Sequence, residues 1–450
     1  MNDESNEHIA PSVIAAIEVD KLFGHYSYRL KPKDPDVYHQ LLLLYGDNGS
    51  GKTTVSQLLY HALSREDGRG HRTFLAQTKF QRFTIRFTNG AFLSVERAVG
   101  QYEGPFALIG RDESGLEARV EVETSDDGSV KAKNLSQDEL VVVLDKCFPK
   151  RQSVYYLSDN RILQSDEFDD ESPDEWVSHH GRVITRHFGD SSERMMTPSR
   201  TRHLSVGPSV WRAETWLRRQ AINASNEGEV TTSNIYTEIV GRIAKTQTEV
   251  SGDSQHRLDG VVERLASLAD RTKDFSSFGL TQPVALDSLT KHLPLEDPQK
   301  QELIASVLEP YVNSVQSRLD AFGTLQKRLN IFLKIMNSFY KRKRVEITVS
   351  KGIQVFDSND ELLEMELLSS GEKQLMLLLC NILCATTQPS IFIIDEPELS
   401  LNVKWQRELV DSLLDLCAGS HVQFIMATHS IELLSQHRDA VLKLKDIGVD

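Results

Sequence analysis

Residues 41–63 read LLLLYGDNGSGKTTVSQLLYHAL: an apolar run of strand length, a glycine-rich turn, then helical periodicity. Within it Gly46–Thr53, GDNGSGKT, fits the spacing G-x-x-x-x-G-K-[S/T]. The glycines let the backbone curl so that successive N–H groups point inward at phosphate oxygens, with a helix N-terminus behind them. Lys52 then reaches the outer phosphates, and the Thr53 hydroxyl is placed to ligate Mg2+. The candidate phosphate set is Gly46, Asn48, Gly49, Ser50, Gly51, Lys52, Thr53 and Thr54. Strand before and helix after is the context this motif requires, and bound ATP or GTP is expected.

Such a cradle needs a metal-holding acid. The segment IFIIDEPELSLN is an apolar strand ending in Asp395 and Glu396. Asp395 is expected to anchor Mg2+ together with Thr53, and Glu396, one residue on, to polarise the attacking water. In LLSSGEKQLML, Ser369 and Glu372 satisfy the S-x-x-E capping box. A helix N-terminus preceded by Ser-Ser-Gly is also an anion site, so Ser369, Ser370, Gly371 and Glu372 join the phosphate candidates. The segment ATHS, after another apolar strand, supplies His429.

At 450 residues the chain is one elaborated domain or two. A formal charge of -14 and a pI near 5.5 make it no general electrostatic attractant for DNA or anionic lipid. The cysteines (Cys147, Cys380, Cys384, Cys417) form no CxxC pair. Cys380 and Cys384 share one face of an apolar helix, as buried thiols or as a pair of metal ligands, and the usage suits a reducing compartment. The start MNDESNEHIAPS has no signal-peptide core, and no apolar stretch nears the ~18–20 residues that span a bilayer. A cytoplasmic location away from membranes is expected.

Along the chain, SVIAAIEVDKLF and YSYRLKP read as strands, followed by the strand and helix of the glycine turn. Alternation from Thr73 to about Val122, with a hairpin turn at Asn89-Gly90, predicts a small antiparallel sheet. ELVVVLDKCF reads as a helix, SVYYLSDNR as a strand and residues 162–208 as loops. From Ser209 to about Lys341 apolar residues recur every three to four positions, interrupted by Gly, Pro and polar turns: a compact helical insert. The last hundred residues alternate helix and strand, which predicts a parallel sheet. The expected class is α/β, mostly parallel sheet plus an antiparallel β subdomain and a helical insertion. Three parts follow: 1–208 with the glycine turn, 209–341 as the helical insert, and 342–450 with SSGE, Asp395 and His429.

The ordered set GDNGSGKT, SSGE, DEPE, LSLN and His429 resembles the ABC-class P-loop ATPases, in which two heads sandwich two nucleotides. The resemblance implies that Ser370 and Gly371 of one head complete the phosphate site of another, that His429 contacts the γ-phosphate, and that hydrolysis demands a dimer or higher homo-oligomer. About 340 residues separate GDNGSGKT from DEPE, unlike a transporter motor. The long coiled coil and CxxC of zinc-hook repair ATPases are missing. The wording SSGEKQ, IIDEPELSLN and ATHS resembles the OLD/AAA_15/AAA_21-like group and the ATPase subunits of two-gene anti-phage defence systems, PARIS-type first, Septu- or retron-associated type second. Only about twenty residues follow His429, too few for the Toprim nuclease of OLD enzymes. The resemblance therefore implies an ATPase that senses a phage-derived trigger and controls a separately encoded toxin or nuclease effector. The alternative from another class is a DNA-binding repair or recombination ATPase of the RecF or zinc-hook (Rad50) type.

Other assignments stay open. Asp159 or Arg161 stands where a Q-loop glutamine is expected, with Gln77 and Gln81 worse placed. Phe23, Tyr26 or Tyr28 stacks on adenine or packs in the core. Lys341–Arg344, KRKR, contacts nucleic acid or is a solvated helix end. The Arg/His-rich segment RVITRHFGDSSERMMTPSRTRH is a sensor surface or an unliganded loop.

Overall fold

The structure is a computed structural model; it describes residues 13–33, 39–66, 69–125, 130, 137–149, 152–160, 163–165, 175–177, 183–185, 206–232, 240, 254–283 and 297–447. Two compact units emerge, Met1–Leu204 with Ala385–Asp450, and Ser205–Cys384.

The first unit opens with β1 (Ile14–Leu22) and β2 (Tyr26–Leu30), then β3 (Leu41–Tyr45), α1 (Lys52–Leu63) and α2 (His71–Gln77). Four antiparallel strands follow, β4 (Arg82–Phe87), β5 (Phe92–Glu96), β6 (Phe106–Arg111) and β7 (Glu117–Val122). They join the first two strands in a six-stranded sheet, order β2-β1-β4-β5-β6-β7. The β4–β5 hairpin turns at Asn89-Gly90, where Gly90 takes φ 84°. Alternation does not run through Thr73, however: α2 holds that position, because His71, Arg72, Leu75 and Ala76 are buried at helical spacing. After α3 (Gln137–Asp145) come β8 (Ser153–Leu157), β9 (Leu163–Ser165) and the paired β10 (Glu175–Val177) and β11 (Val183–Thr185). Residues 162–208 are therefore not all loop; most of the Arg/His-rich segment lies outside the described residues.

The second unit holds α4 (Gly207–Thr232), α5 (Ser254–Ser277) and α6 (Pro298–Phe339), then the three-stranded sheet of β12 (Arg344–Thr348), β13 (Gly352–Phe356) and β14 (Leu362–Leu363), and α7 (Ser370–Ala385). Asp297 caps α6 by accepting from the Gln299 N–H at 3.0 Å, and Pro298 at its first turn loses no intrahelical bond. The expected interruptions are absent from the helices themselves: Pro310 and Gly323 lie inside α6 and Gly260 inside α5. Arg257, Arg264 and Arg271, seven apart on α5, meet Glu309 (3.0 Å), Asn313 (2.9 Å) and Asp320 (3.1 Å) on α6, and Arg257 also meets Glu302. Both numberings rise together, so the two helices run parallel. Exposed pairs of this kind contribute roughly 0–1 kcal/mol each, and what they fix is register. The helices converge on the small sheet: Glu214 of α4 accepts from the Ile353 N–H at 2.9 Å, and Phe278 after α5 accepts from Val349 N–H at 2.9 Å.

The chain then completes the first unit with β15 (Ser390–Asp395), α8 (Val403–Leu416), β16 (Val422–Ala427), α9 (Ile431–Gln436) and β17 (Val441–Lys443). The second six-stranded sheet has the order β17-β3-β16-β15-β8-β9, parallel except for edge strand β9. Its central strands are buried on both faces, which explains their unbroken apolar runs. One core cluster joins Ile17, Phe83, Ile85 and Leu93 of the antiparallel sheet to Leu58 and Leu59 of α1 and to Leu42, Ile391 and Ile393 of the parallel sheet. The class is α/β, as the alternation implied. Among the described residues no helix is long and apolar enough to cross a membrane.

Gly110 on β6 tests this packing, since a Cβ there would lie 2.1 Å from the Val143 carbonyl oxygen of α3. Gly110→Ala is expected to destabilise the protein by about 1–3 kcal/mol or more, read from the shift of the urea midpoint.

Candidate functional site

Four parallel strands end at one edge of the sheet, and each delivers a candidate residue. β3 runs into the Gly46–Thr53 loop, β16 into His429, β15 into Asp395 and β8 into Asp159. The register is level, with Asp395 opposite Ala427 and Ala427 opposite Leu44. Carboxyl ends of parallel strands are where an open α/β sheet leaves a crevice. Here the crevice is a cleft of about 360 Å3 lined by Phe23, Asn48, Gly49, Gly51, Lys52, Thr53, Thr54, Glu396 and His429.

The glycines of the loop have separate reasons. Gly49 and Gly51 sit at φ 82° and 90°, where a side chain is strained. Gly46 has no room: a Cβ would come 2.7 Å from Ser50 Oγ and 3.0 Å from Leu444. Tyr28 donates to the Ser50 carbonyl at 2.9 Å and steadies the loop from behind. Lys52 is 6% exposed and folds across the loop to donate to the carbonyls of Gly46 (2.8 Å) and Asp47 (3.0 Å). Burial lowers its pKa, against the pull of Glu396, Asp395 and Asp47.

Asp395 is 3% exposed, and neither carboxylate oxygen has a hydrogen-bond partner of regular geometry. The Thr53 hydroxyl lies close enough to favour the charged form without making a regular bond. Burial above all, with the nearby carboxylates Asp159, Glu396 and Glu398, raises its pKa to about 6. Buried, unpaired carboxylate oxygens facing a hydroxyl are hard oxygen donors that fit Mg2+. Glu396 follows with φ 49°, its N–H donating to Ala427 at 2.8 Å. That left-handed turn brings its carboxylate within 3.8 Å of His429 Nε2.

Ser369–Glu372 belong to the second unit. The capping box is formed in both directions: Ser369 N–H donates to Glu372 Oε2 at 2.8 Å, and Glu372 N–H to Ser369 Oγ at 3.4 Å. Ser369 and Ser370 are exposed at the N-terminus of the sixteen-residue α7. Lys343 grips both Glu372 oxygens at 2.7–2.8 Å, and Tyr340 donates to the Glu372 carbonyl at 2.6 Å. Burial works against the Glu372 charge, but Lys343 and Ser369 outweigh it and hold the carboxyl below its usual range.

Several open assignments narrow. Of the three aromatics Phe23 lines the cleft, 38% exposed and held there by left-handed Lys21 and Phe23 itself (φ 57° and 55°), whereas Tyr28 is core. Asp159 is near enough to raise the Asp395 pKa; Arg161 lies outside the described residues. Gln77 closes α2 and Gln81 lies between α2 and β4, and neither lines the cleft. Half of KRKR is internally paired, Lys343 to Glu372 and Arg344 to Glu346 and Asp360 (2.9 Å). Cys380 is buried against Met376 sulfur at 3.7 Å, and among the described residues no His, Cys, Asp and Glu group forms a metal cluster. Sequence spacing missed Glu398. Its Oε1 accepts from Thr428 Oγ1 and His429 N–H, both at 2.7 Å, and from Ser430 N–H at 3.0 Å. The only sequence signal was a third acid in DEPE, after Asp395 and Glu396.

An acid whose folded pKa exceeds its unfolded value of 3.8 weakens the fold as pH rises from about 4 to about 6, and the cost is complete above that. Without Mg2+ at pH 7.5, Asp395→Asn is therefore expected to stabilise the protein by on the order of 2–3 kcal/mol, with the gain vanishing near pH 4. Denaturation at the two pH values checks this, and added Mg2+ with ATP should favour the native Asp395 instead.

Residues 236–435 match the family model described as "AAA domain, putative AbiEii toxin, Type IV TA system", a stretch that takes in Ser369–Glu372, Asp395, Glu396 and His429. No curated protein sequence matches the chain. Among solved structures it is similar to the Smc head domain with an extended coiled coil bound to the C-terminal domain of ScpA, from Pyrococcus furiosus (12% identity, 97% of this chain and 94% of that chain, TM-score 0.40). Others are the Smc head bound to the C-winged helix domain of ScpA (12%, 96% and 96%, 0.36) and the Smc head domain with a coiled coil and joint from Pyrococcus yayanosii (12%, 96% and 95%, 0.37).

Proposed function

We propose that this chain is an Mg2+-dependent ATPase of the ABC type. It assembles as a homo-oligomer with ATP between heads and controls a separately encoded effector in anti-phage defence. The observation that carries the catalytic part is the single cleft in which Lys52, Thr53, Glu396 and His429 meet beside the buried, unpaired Asp395. The toxin–antitoxin wording of the matched family supports the effector-control part.

In this reading the loop N–H groups and Lys52 bind the β- and γ-phosphates, and Phe23 covers the adenine. Thr53 and Asp395 hold Mg2+, which supplies charge neutralisation at the phosphate oxygens. Glu396 orients the attacking water and takes its proton, while His429 faces the γ-phosphate from the other wall. Residues 1–208 and 342–450 act as the halves of one head, with 209–341 as the arm. The Ser369–Glu372 end of α7, exposed at Ser369 and Ser370, offers its N–H groups and Ser370 hydroxyl to the nucleotide of a second copy. Internal pairing of Lys343 and Arg344 removes half of the basic stretch on which a DNA-binding reading would lean.

Glu396→Gln is expected to keep ATP binding while slowing hydrolysis about 10²-fold or more, and Lys52→Ala to lose binding. Mass photometry of the tagged Glu396→Gln chain, purified with ATP from cells carrying its neighbouring genes, tests the assembly. A stoichiometric protein partner on a higher-order oligomer is the expected result. A lone dimer carrying nucleic acid would overturn the scaffold reading in favour of a DNA-repair ATPase.

A further inference from the structure

We infer that Glu398 is a positioning residue for the switch histidine: its carboxylate fixes the backbone that carries His429 and thereby sets the ring against the γ-phosphate. The inference rests on the ATPase reading above and assigns a role to an acid which that reading leaves unused.

The turn after β15 is built to aim Glu398. Glu396 and Ser400 both take left-handed φ, 49° and 66°, with Pro397 between them. Leu399 N–H donates to Glu396 at 3.1 Å and Leu401 N–H to Glu398 at 2.9 Å, so the chain doubles back on itself. Non-glycine residues in this region are strained and persist where the surroundings over-determine them. The result is a carboxylate lying against the end of β16, thirty residues away in sequence.

Three donors converge on one oxygen, the Thr428 hydroxyl and the N–H groups of His429 and Ser430. Two consecutive amide donors and a hydroxyl at 2.7–3.0 Å suit an anion better than a neutral acceptor, because charge-assisted bonds are roughly twice as strong. A second tie closes the ring: Ser430 Oγ donates to Gln406 Oε1 at 2.8 Å, and Gln406 Nε2 to the Leu401 carbonyl at 2.9 Å. Position 429 is thus held at its own N–H and at both neighbours. The imidazole itself has only the 3.8 Å approach to Glu396; among the described residues no hydrogen bond holds it. Its orientation therefore comes through the backbone, and Glu398 is the side chain that takes the N–H groups of His429 itself and of Ser430.

The test is a double-mutant cycle in steady-state ATP hydrolysis: native chain, Glu398→Ala, His429→Ala and both together. Glu398→Ala is expected to lower kcat about 10–100-fold while the KM for MgATP moves less than about threefold. In the His429→Ala background the same substitution is expected to cost less than about threefold, because a group acting through the ring has nothing left to position. Glu398→Gln, which keeps an acceptor oxygen, should recover most of the loss. Should Glu398→Ala fail to fold, Glu398→Asp, which retains the charge but withdraws it by one methylene, enters the same cycle. Losses that multiply in the double mutant, or a Glu398 variant that hydrolyses like the native chain, overturn the inference and leave the ATPase reading standing. Absence of hydrolysis in the native chain, with MgATP binding indifferent to Lys52→Ala, removes both.

Discussion

A buried carboxylate with neither oxygen paired is the constraint on which the first unit depends. Asp395 sits at the end of an apolar strand, and burial together with three neighbouring acids makes its charge costly. Lys52 is itself pinned to two loop carbonyls and pulled down by burial. Protein groups alone leave this edge of the sheet under-compensated. In the proposed ATPase a divalent cation with phosphate oxygens would supply what is missing, and binding would remove an electrostatic deficit that the fold holds in reserve. Everything that defines the cleft, from the level register of β3, β16 and β15 to the left-handed turn at Glu396, arranges that deficit in one place.

Phosphate geometry explains how much was legible beforehand. A loop that wraps an anion must have particular residues at fixed offsets, so Gly46, Gly51, Lys52 and Thr53 declare themselves locally. So does the capping box of Ser369 and Glu372, which spans one helical turn. The α/β class followed from the alternation of helix and strand patterns over the last hundred residues. What stayed hidden is non-local. Glu398 finds its partners across the β15–β16 pair, and Lys343, read as solvated or nucleic-acid-binding, finds Glu372 twenty-nine residues on. Phe23 reaches the cleft from a turn in which Lys21 and Phe23, on either side of Leu22, take left-handed conformations that their residue types do not announce. The short helix α2 was misread for a related reason, since a seven-residue segment burying a histidine and an arginine offers little periodicity to detect.

The second unit repeats the theme of polar groups fixed by distant partners. Glu372 carries two duties at once, closing the cap of α7 and receiving Lys343, while its carbonyl takes the Tyr340 hydroxyl. The end of α6 and the start of α7 are therefore tied within a few ångströms, although β12, β13 and β14 intervene in sequence. A displacement of the last turn of α6 would be felt at the exposed serines of α7, because the cap and the ion pair share one carboxylate.

The parallel course of α5 and α6 also limits how this arm can change length. Parallel neighbours have their contacts in phase: Arg257, Arg264 and Arg271 mark sevens on one helix, and Asn313 and Asp320 mark the same interval on the other. Arg257 already touches both Glu302 and Glu309, two rungs of a single spacing. Removing one heptad from α5 alone would leave its remaining arginines a full rung out of step. Removing one from each helix would restore the ladder. Insertions and deletions in relatives of this arm should therefore come in matched multiples of seven, with the connection between the helices free to vary.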